Sequence, residues 1–407
     1  MNQSHLSNQS SSNTPVVEFD IHGIVGIRLV DPPTNIVAAL TRQLGHFRAG
    51  LAREADITVR FTPEIRPPDL KYLGLDGAGF TDEAFFVFDN RAGVISAQIP
   101  FDTIGYHTEI LCRQQRSTIP FLFEVIRLTL MRKNWIPLHA SAFLYNGIGI
   151  LAMGWTKGGK TETLLSFGNH GAHYIGDEWV IVSGDGCEMF GLPVPVTIWE
   201  WQFEHVPNLL PKINFQQRLF FKGIHLLEST HKMMAHGRLK RTLPVEMLGE
   251  GMPLIKRRLR IKAKPQEIFG ERYHKSKASL DKLFLMVGHQ DTSITVEACD
   301  GAMLAQRMVH SNVSEQMHLF ETYKAFRYAF PERCNPLMEE FEVRQLSLLQ
   351  KAFTDKEAYQ VLHPYPVSFQ ELFDHMQPYC QDKYIERDYS GSQEGTEGTQ
   401  VPGKQAE

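Results

Sequence analysis

Gly154-Trp155-Thr156-Lys157-Gly158-Gly159-Lys160-Thr161 is the stretch on which the reading of this chain turns. It fits the pattern G-x-x-x-x-G-K-[ST], whose glycines let the backbone curl so that successive N–H groups face phosphate oxygens. The flanks suit that use. Gly149-Ile150-Leu151-Ala152-Met153 is a short apolar run fitted to a buried strand. Glu162-Thr163-Leu164-Leu165-Ser166-Phe167 reads as a helix ending near Gly168 or Gly171. Strand, glycine loop and helix in that order set the positive end of the helix dipole against a bound anion. Lys160, read as an exposed loop side chain, is expected to reach the β- and γ-phosphates, and the Thr161 hydroxyl to hold Mg²⁺. Gly154 to Thr161, with Glu162 beside them, form the expected nucleotide-phosphate site.

Working outward, Leu138-His139-Ala140-Ser141-Ala142-Phe143-Leu144-Tyr145 is a strand candidate that runs into Asn146-Gly147, a strong short hairpin signal. A two-residue turn there pairs Tyr145 with Ile148, and counting outward pairs Ala140 with Met153 and His139 with Gly154. The register alone therefore sets His139 beside the mouth of the loop. Downstream, the apolar run from Ala172 to Val182 is interrupted by Asp177-Glu178. Two carboxylates in such a run are costly if buried without purpose. A strand returning parallel to the one before the loop would bring its C-terminal end, with both acids, close to the loop. One can act as a general base while the other binds magnesium directly or through water.

His139-Ala140-Ser141-Ala142, the loop ending Gly159-Lys160-Thr161-Glu162-Thr163, and Gly176-Asp177-Glu178 resemble, in order and spacing, the catalytic domain of HPr serine kinase/phosphorylase. Phe190-Gly191-Leu192-Pro193-Val194-Pro195 is similar to the strand that follows the acidic pair in HPr-kinase-related proteins. The clear similarity covers 135–200, with a weaker one over 281–287. The resemblance implies an α/β fold with a P-loop core of the phosphoenolpyruvate-carboxykinase type and a mixed sheet. It also implies ATP and Mg²⁺, and transfer of the γ-phosphoryl group to a hydroxyl on a protein, a peptide or a small molecule. In that scheme Lys160 counters charge at the leaving oxygen and Asp177 takes the acceptor's proton. His139 helps to orient the phosphoryl group, and Thr161, Asp177 and Glu178 face the metal. HPr kinases assemble into hexamers, so a homo-oligomer is implied as well. The chain departs from the family in having Asp177-Glu178 where two aspartates are typical, and in Trp155 and Lys157 within the loop. It shows no counterpart of the family's substrate-binding signature or of its downstream magnesium-binding glutamate, which sets HPr aside as the expected acceptor. Two other readings stay open: an ATP-binding regulatory or maturation protein with little phosphotransfer, and an ATPase coupled to a partner.

The rest of the 407-residue chain bounds these expectations. A formal net charge of −4 fits neither a nucleic-acid-coating protein nor an acidic scaffold. The five scattered cysteines lack C-x-x-C spacing, which argues against a disulfide framework or zinc knuckle and for a reducing cytosol. No apolar run reaches spanning length and no signal-peptide core follows a basic start, so a soluble, cytoplasmic protein without a membrane partner is expected. Residues 1–14 and 386–407 are polar tracts expected to be disordered. Residues 15–132 read as a small α+β domain, 133–300 as the catalytic domain, and 301–385 as mainly helical. In the first of these, Ala84–Phe88 and Gly93–Gln98 are strands joined by a turn at Asp89-Asn90-Arg91. The catalytic part carries a basic insertion over 196–280, including Arg238, Lys240, Arg241, Lys256, Arg257, Arg258, Arg260, Lys262 and Lys264. That segment reads either as a solvated face or as an anion-attracting flank, its end alternating like a strand with one charged side. No nucleic-acid motif accompanies it. Trp199, Trp201 and Phe203 read as core aromatics.

Overall fold

Period-two alternation builds the N-terminal third. A computed structural model describes residues 15–66, 69–70, 72–73, 78–89, 94–213, 215–235, 258–273 and 276–381. The two tails expected to be disordered lie outside the described residues, as do Asn90-Arg91 of the expected turn and Arg238, Lys240, Arg241, Lys256 and Arg257 of the basic segment. Strands β1 (Val16–Ile21) and β2 (Val25–Val30) pair as a hairpin, and α1 (Thr34–Leu44) crosses to β3 (Ile57–Thr62). Strands β4 (Tyr72–Leu73), β5 (Ala78–Phe80), β6 (Ala84–Asp89), β7 (Val94–Pro100) and β8 (Thr108–Arg113) complete an eight-stranded sheet of order β1-β2-β3-β8-β7-β6-β5-β4. Only β2–β3 and β3–β8 run parallel within it. Helix α2 (Leu122–Arg132) follows and buries seven of its residues.

Beyond α2 the chain weaves between two further sheets. In order come β9 (Trp135–Leu138), β10 (Ser141–Tyr145), β11 (Ile148–Met153), α3 (Lys160–Asn169), β12 (His173–Gly176), β13 (Val180–Ser183), β14 (Glu188–Gly191) and β15 (Val196–Trp199). Then follow α4 (Phe215–Ala235), β16 (Arg260–Ala263), α5 (Pro265–Phe269), β17 (Lys277–Ser279), β18 (Lys282–Gly288) and β19 (Thr295–Ala298). The last elements are α6 (Gly301–Glu315), α7 (Met317–Ala329), α8 (Pro336–Glu339), α9 (Phe341–Phe353), β20 (Glu357–His363) and α10 (Phe369–Met376). A mixed six-stranded sheet has the order β12-β10-β11-β18-β20-β19, and a four-stranded one the order β17-β14-β13-β9. Strands β15 and β16 pair apart as a two-stranded ribbon.

The six-stranded sheet is covered on both faces, which is why its central strands are continuous apolar runs rather than alternating ones. All six residues of β11 are buried. Ile148, Ile150 and Ala152 join one core with Leu164 and Phe167 of α3 and Leu372 of α10. Leu151 and Met153 point the other way into a second core, which runs on through Leu304 of α6 and Leu349 of α9 to Phe19 and Ile27 in the eight-stranded sheet. That second core is continuous across residue 132, where the sequence reading drew a boundary.

Two expected strands differ in a way that matters for the site. The run 138–145 is not one strand: it breaks at His139-Ala140, with β9 in the four-stranded sheet and β10 in the six-stranded one. The run 172–182 breaks likewise, at Asp177–Trp179, between β12 and β13. The two breaks lie side by side, because Leu138 pairs with Val180 and Ala142 with Gly176. The two chains thus cross together from one sheet to the other. The 301–385 region is also not only helical, since β20 enters the six-stranded sheet between β18 and the edge strand β19, parallel to β18. Its Glu-Ala-Tyr-Gln-Val-Leu-His sequence has few β-branched residues, and pairing with β18 and β19 rather than propensity makes it a strand.

Candidate functional site

Strands β11, β18 and β20 are mutually parallel and send their C-terminal ends to one edge of the sheet, where the glycine loop 154–159 leads into α3. Open α/β sheets bind ligands at such an edge. The loop has little room around it. A Cβ on Gly154 (φ 150°) would lie 2.5 Å from the Met286 carbonyl oxygen, and one on Gly159 (φ 101°) would lie 2.3 Å from Nε2 of His363. His363, at the end of β20 and fully buried, donates from Nε2 to the Gly158 carbonyl at 2.9 Å. The N-cap residue of α3 is Gly159, so no side chain caps the helix from that position.

Lys160 is not the exposed loop residue the sequence suggested. It opens α3, is only 5% exposed, and donates from Nζ to the carbonyls of Gly154 (3.1 Å) and Trp155 (2.8 Å). Burial holds its ammonium below the usual lysine range, against the pull of Asp177, Glu178 and Glu315. Glu162 is buried in the same first turn of the helix, where Gln202 donates to it at 2.9 Å, and burial raises its carboxyl above the ordinary value. Trp155, by contrast, is 58% exposed.

The crossing of the two chains delivers the acids. Asp177 is 1% exposed, and its Oδ1 accepts from Ser141 Oγ at 2.5 Å. Both of its carboxylate oxygens lie 3.2 Å from Thr161 Oγ1. Burial is the largest influence on this carboxyl, Glu178 next to it adds to it, and the hydroxyls only partly oppose them. The pKa is raised to about 6. Glu178 adopts φ 65°, an uncommon left-handed conformation for a residue with a side chain, and this turns it away from Asp177 toward His139. Its Oε2 oxygen is 3.1 Å from His139 Nε2, while Glu315 at the end of α6 takes the other ring nitrogen, Nδ1, at 2.8 Å. Burial pulls the imidazole down, but the two carboxylates outweigh it and raise it above its ordinary value. The hydrogen bond from His139 likewise leads the causes that hold both Glu178 and Glu315 low. Arg127 of α2 donates to the Glu315 carbonyl at 3.2 Å and lies 4.0 Å over the Trp179 ring.

A cleft of about 180 Å³ lies over the glycine loop, bordered by His139, Glu178, loop residues 156–159 and the first residues of α3, with Asp177 and Ser141 buried outside its lining. Its far wall comes from Trp199, Thr197 and Arg260 of the β15–β16 ribbon, and from Tyr365. Trp199 is therefore not a core residue as expected. Its ring faces Lys157 Nζ at 5.9 Å and the Arg260 guanidinium at 5.6 Å. Phe203 is buried and Trp201 packs against the same core, as the sequence indicated. Strand alternation accounts for the ribbon: Val196, Ile198 and Ala263 are buried, whereas Thr197, Trp199, Arg260 and Lys262 share the opposite face. Within its described part, the basic segment has one charged face turned to the cleft.

The structure thus brings together His139, Lys160, Thr161, Asp177, Glu178 and the glycine loop. The sequence reading missed Ser141, Glu315, His363, Arg127 and Tyr365 as neighbours of that loop. Among the described residues no cluster of three or more His, Cys, Asp or Glu side chains has the arrangement of a metal site, and no helix is long and apolar enough to cross a membrane. Comparison with protein families and with curated proteins found no match to the chain.

Proposed function

We propose that this chain is an ATP- and Mg²⁺-dependent kinase of the HPr-kinase-like type, with a P-loop core in its mixed α/β fold, that transfers the γ-phosphoryl group to a hydroxyl acceptor. One observation carries the reading: at the uncapped start of α3, Thr161 Oγ1 sits 3.2 Å from both oxygens of the buried Asp177, next to a buried lysine held only by loop carbonyls. An anion at the start of α3 would meet its first N–H groups and its dipole together.

The donors suit a magnesium ion, which prefers hard oxygen ligands and is held by one or two carboxylates with substrate phosphates and water completing its shell. Thr161 and Asp177 would face it directly, and Glu178, engaged by His139, through water. When bound, the ion neutralises charge on the β- and γ-phosphate oxygens. Lys160 exchanges its carbonyl partners for phosphate oxygens. The acceptor's hydroxyl oxygen attacks the γ-phosphorus, the bond to the leaving oxygen of ADP breaks, and the hydroxyl proton passes to Asp177. In the ligand-free site burial raises this carboxyl to about 6, and a bound magnesium ion would lower it again. His139, whose imidazole Glu178 and Glu315 raise above its ordinary value, stands beside the transferring group.

The test is incubation with γ-labelled ATP and fractionated cytosol, with Lys160→Ala as control, together with calorimetry of Mg·ATP. Label on an acceptor with the wild type alone, and an affinity for Mg·ATP at least about a hundredfold weaker in the variant, are expected. Release of free phosphate alone would make the protein an ATPase, and binding without either product would make it a regulatory module. Equal Mg·ATP affinity in both proteins would overturn the reading altogether.

A further inference from the structure

Next to the cleft, and sharing Glu178, Thr197 and Arg260 with it, lies a second cavity of about 500 Å³. It begins at Glu178 and Glu315, the carboxylates that brace His139, and runs beneath the ribbon toward Lys262. We propose that this cavity is the acceptor subsite of the kinase, and that its occupant is a small hydroxy acid. The hydroxyl would lie at the Glu178 end, an apolar or aromatic body against Trp179, and a carboxylate or similar anion at Lys262 and Arg260. The assignment rests on the kinase reading above.

Three features support it. The first is position. An acceptor must reach the transferring group beside the nucleotide, and this cavity adjoins the cleft at Glu178, Thr197 and Arg260, which line both. The second is charge. Glu178 and Glu315 pair with His139 and Arg127, and Glu124, the third carboxylate of the lining, acts on the same Arg127. Arg260 and Lys262 project from the same face of β16, and neither has an ion-pair partner among the described residues. Arg260 lies only over the Trp199 ring. Two cations of the ribbon without an ion-pair partner suit an anionic ligand, although Glu124 lines the same cavity. The third is the wall. Phe123 meets Trp179 edge to face at 5.5 Å, and Leu192, Val194 and Pro195 continue the surface, giving a flat apolar side for a ring. The volume falls within the range that holds a small molecule rather than a protein surface.

The probe pair is 3-phenyllactate and its neutral counterpart 3-phenylpropane-1,2-diol. Each is titrated by calorimetry into the full-length protein saturated with Mg²⁺ and a non-hydrolysable ATP analogue. Phenyllactate is expected to bind, with the diol about tenfold weaker for want of the charged contact. In Lys262→Ala that difference should shrink to about twofold while the analogue binds as before. In Val194→Trp, which fills the cavity, phenyllactate binding should be lost with the analogue again unaffected. If the analogue binds but phenyllactate does not, or if acid and diol bind alike, the subsite assignment is overturned and the kinase reading survives. If the analogue itself fails to bind, it is the kinase reading that has failed.

Discussion

In the eight-stranded sheet, charges meet their opposites. Glu18 accepts from Arg28 at 2.7 Å, Asp20 takes both terminal nitrogens of Arg53, and Glu109 pairs with Arg60 on the neighbouring strand. Even Asp56, 5% exposed just before β3, holds Lys133 at 2.6 Å and accepts from the Gly26 N–H. At the edge of the six-stranded sheet the pattern is reversed. Asp177 receives hydroxyls alone and Lys160 only carbonyls, although both are as deeply buried as Asp56. Buried charges are ordinarily paired because desolvating them costs several kcal/mol each. An edge that leaves them with neutral partners is organised for charge that arrives with a ligand, and perturbed groups of this kind concentrate at functional sites.

Replacing the two buried aspartates separates the regions most sharply. The folded pKa of Asp177, about 6, lies above the ordinary 3.8. Between those values the folded protein holds the proton more tightly than the unfolded chain does, so stability falls as pH rises through the window, and the whole cost stands at pH 7. That cost is on the order of 3 kcal/mol. Asp177→Asn should therefore stabilise the ligand-free protein at pH 7, by up to that amount, and hardly at all at pH 4. Turnover should fall at least about a hundredfold, because the amide cannot take the acceptor's proton, and Mg·ATP affinity should fall by less, since the amide keeps an oxygen to face the ion but not its charge. Asp56→Asn should do the opposite, losing about 1–3 kcal/mol by leaving Lys133 without its partner and not touching turnover. Urea melts of both variants at pH 4 and pH 7 decide the matter, and destabilisation by both would erase the distinction between the two regions.

How much of this was legible beforehand follows from where the information lies. The glycine loop, its flanking strand and helix, and the Asn146-Gly147 register are local patterns. The observed pairs Tyr145–Ile148 through Ser141–Ala152 follow the register read from that turn. The sequence could not show that the ladder stops at Ser141. The break at His139-Ala140 exists because β9 pairs with β13 in another sheet, a contact more than forty residues away. Glu315 and His363 escaped for a related reason. Each is an ordinary residue at the end of an element, and only the packing of α6 and β20 against the loop gives it a partner. The alternation of Arg260 and Lys262 was visible, but its direction was not, since nothing local says which face of a ribbon meets a cleft.

A smaller effect is expected at the braces of His139. Glu315→Gln keeps the shape and a hydrogen-bond acceptor but removes one of the two charges that raise the imidazole. The stabilisation the charged ring contributes is present below its ordinary pKa and is lost as pH rises through the raised one. With one carboxylate gone, that loss should begin at lower pH. Turnover should drop about five- to tenfold at neutral pH and its alkaline limb should move to lower pH. An NMR titration of the His139 ring, read alongside the pH–rate profile, checks both. A rate loss without any movement of the ring's titration would mean that Glu315 only packs α6 against the site.

The smallest effect belongs to the first region. Arg60 on β3 and Glu109 on β8 stand opposite neighbours in the parallel ladder, where they hydrogen-bond side chain to side chain with both about half exposed. Water already solvates such charges well, salt screens their attraction, and holding two long side chains in one geometry costs rotamer freedom. Arg60→Ala should change stability by no more than about 0.5 kcal/mol. It should leave Mg·ATP affinity and turnover as they are, because the pair touches neither the cleft nor the cavity beside it. The informative comparison is with salt. Raising ionic strength should remove what little difference Arg60→Ala makes, since an exposed pair is screened. The gain in Asp177→Asn should persist, since its origin is burial and not a solvent-facing partner. Urea melts of the two variants at low and high salt measure this directly. If the Arg60 effect were large and independent of salt, the eight-stranded sheet would depend on its charges as the site does, and the contrast between the two sheets would fail.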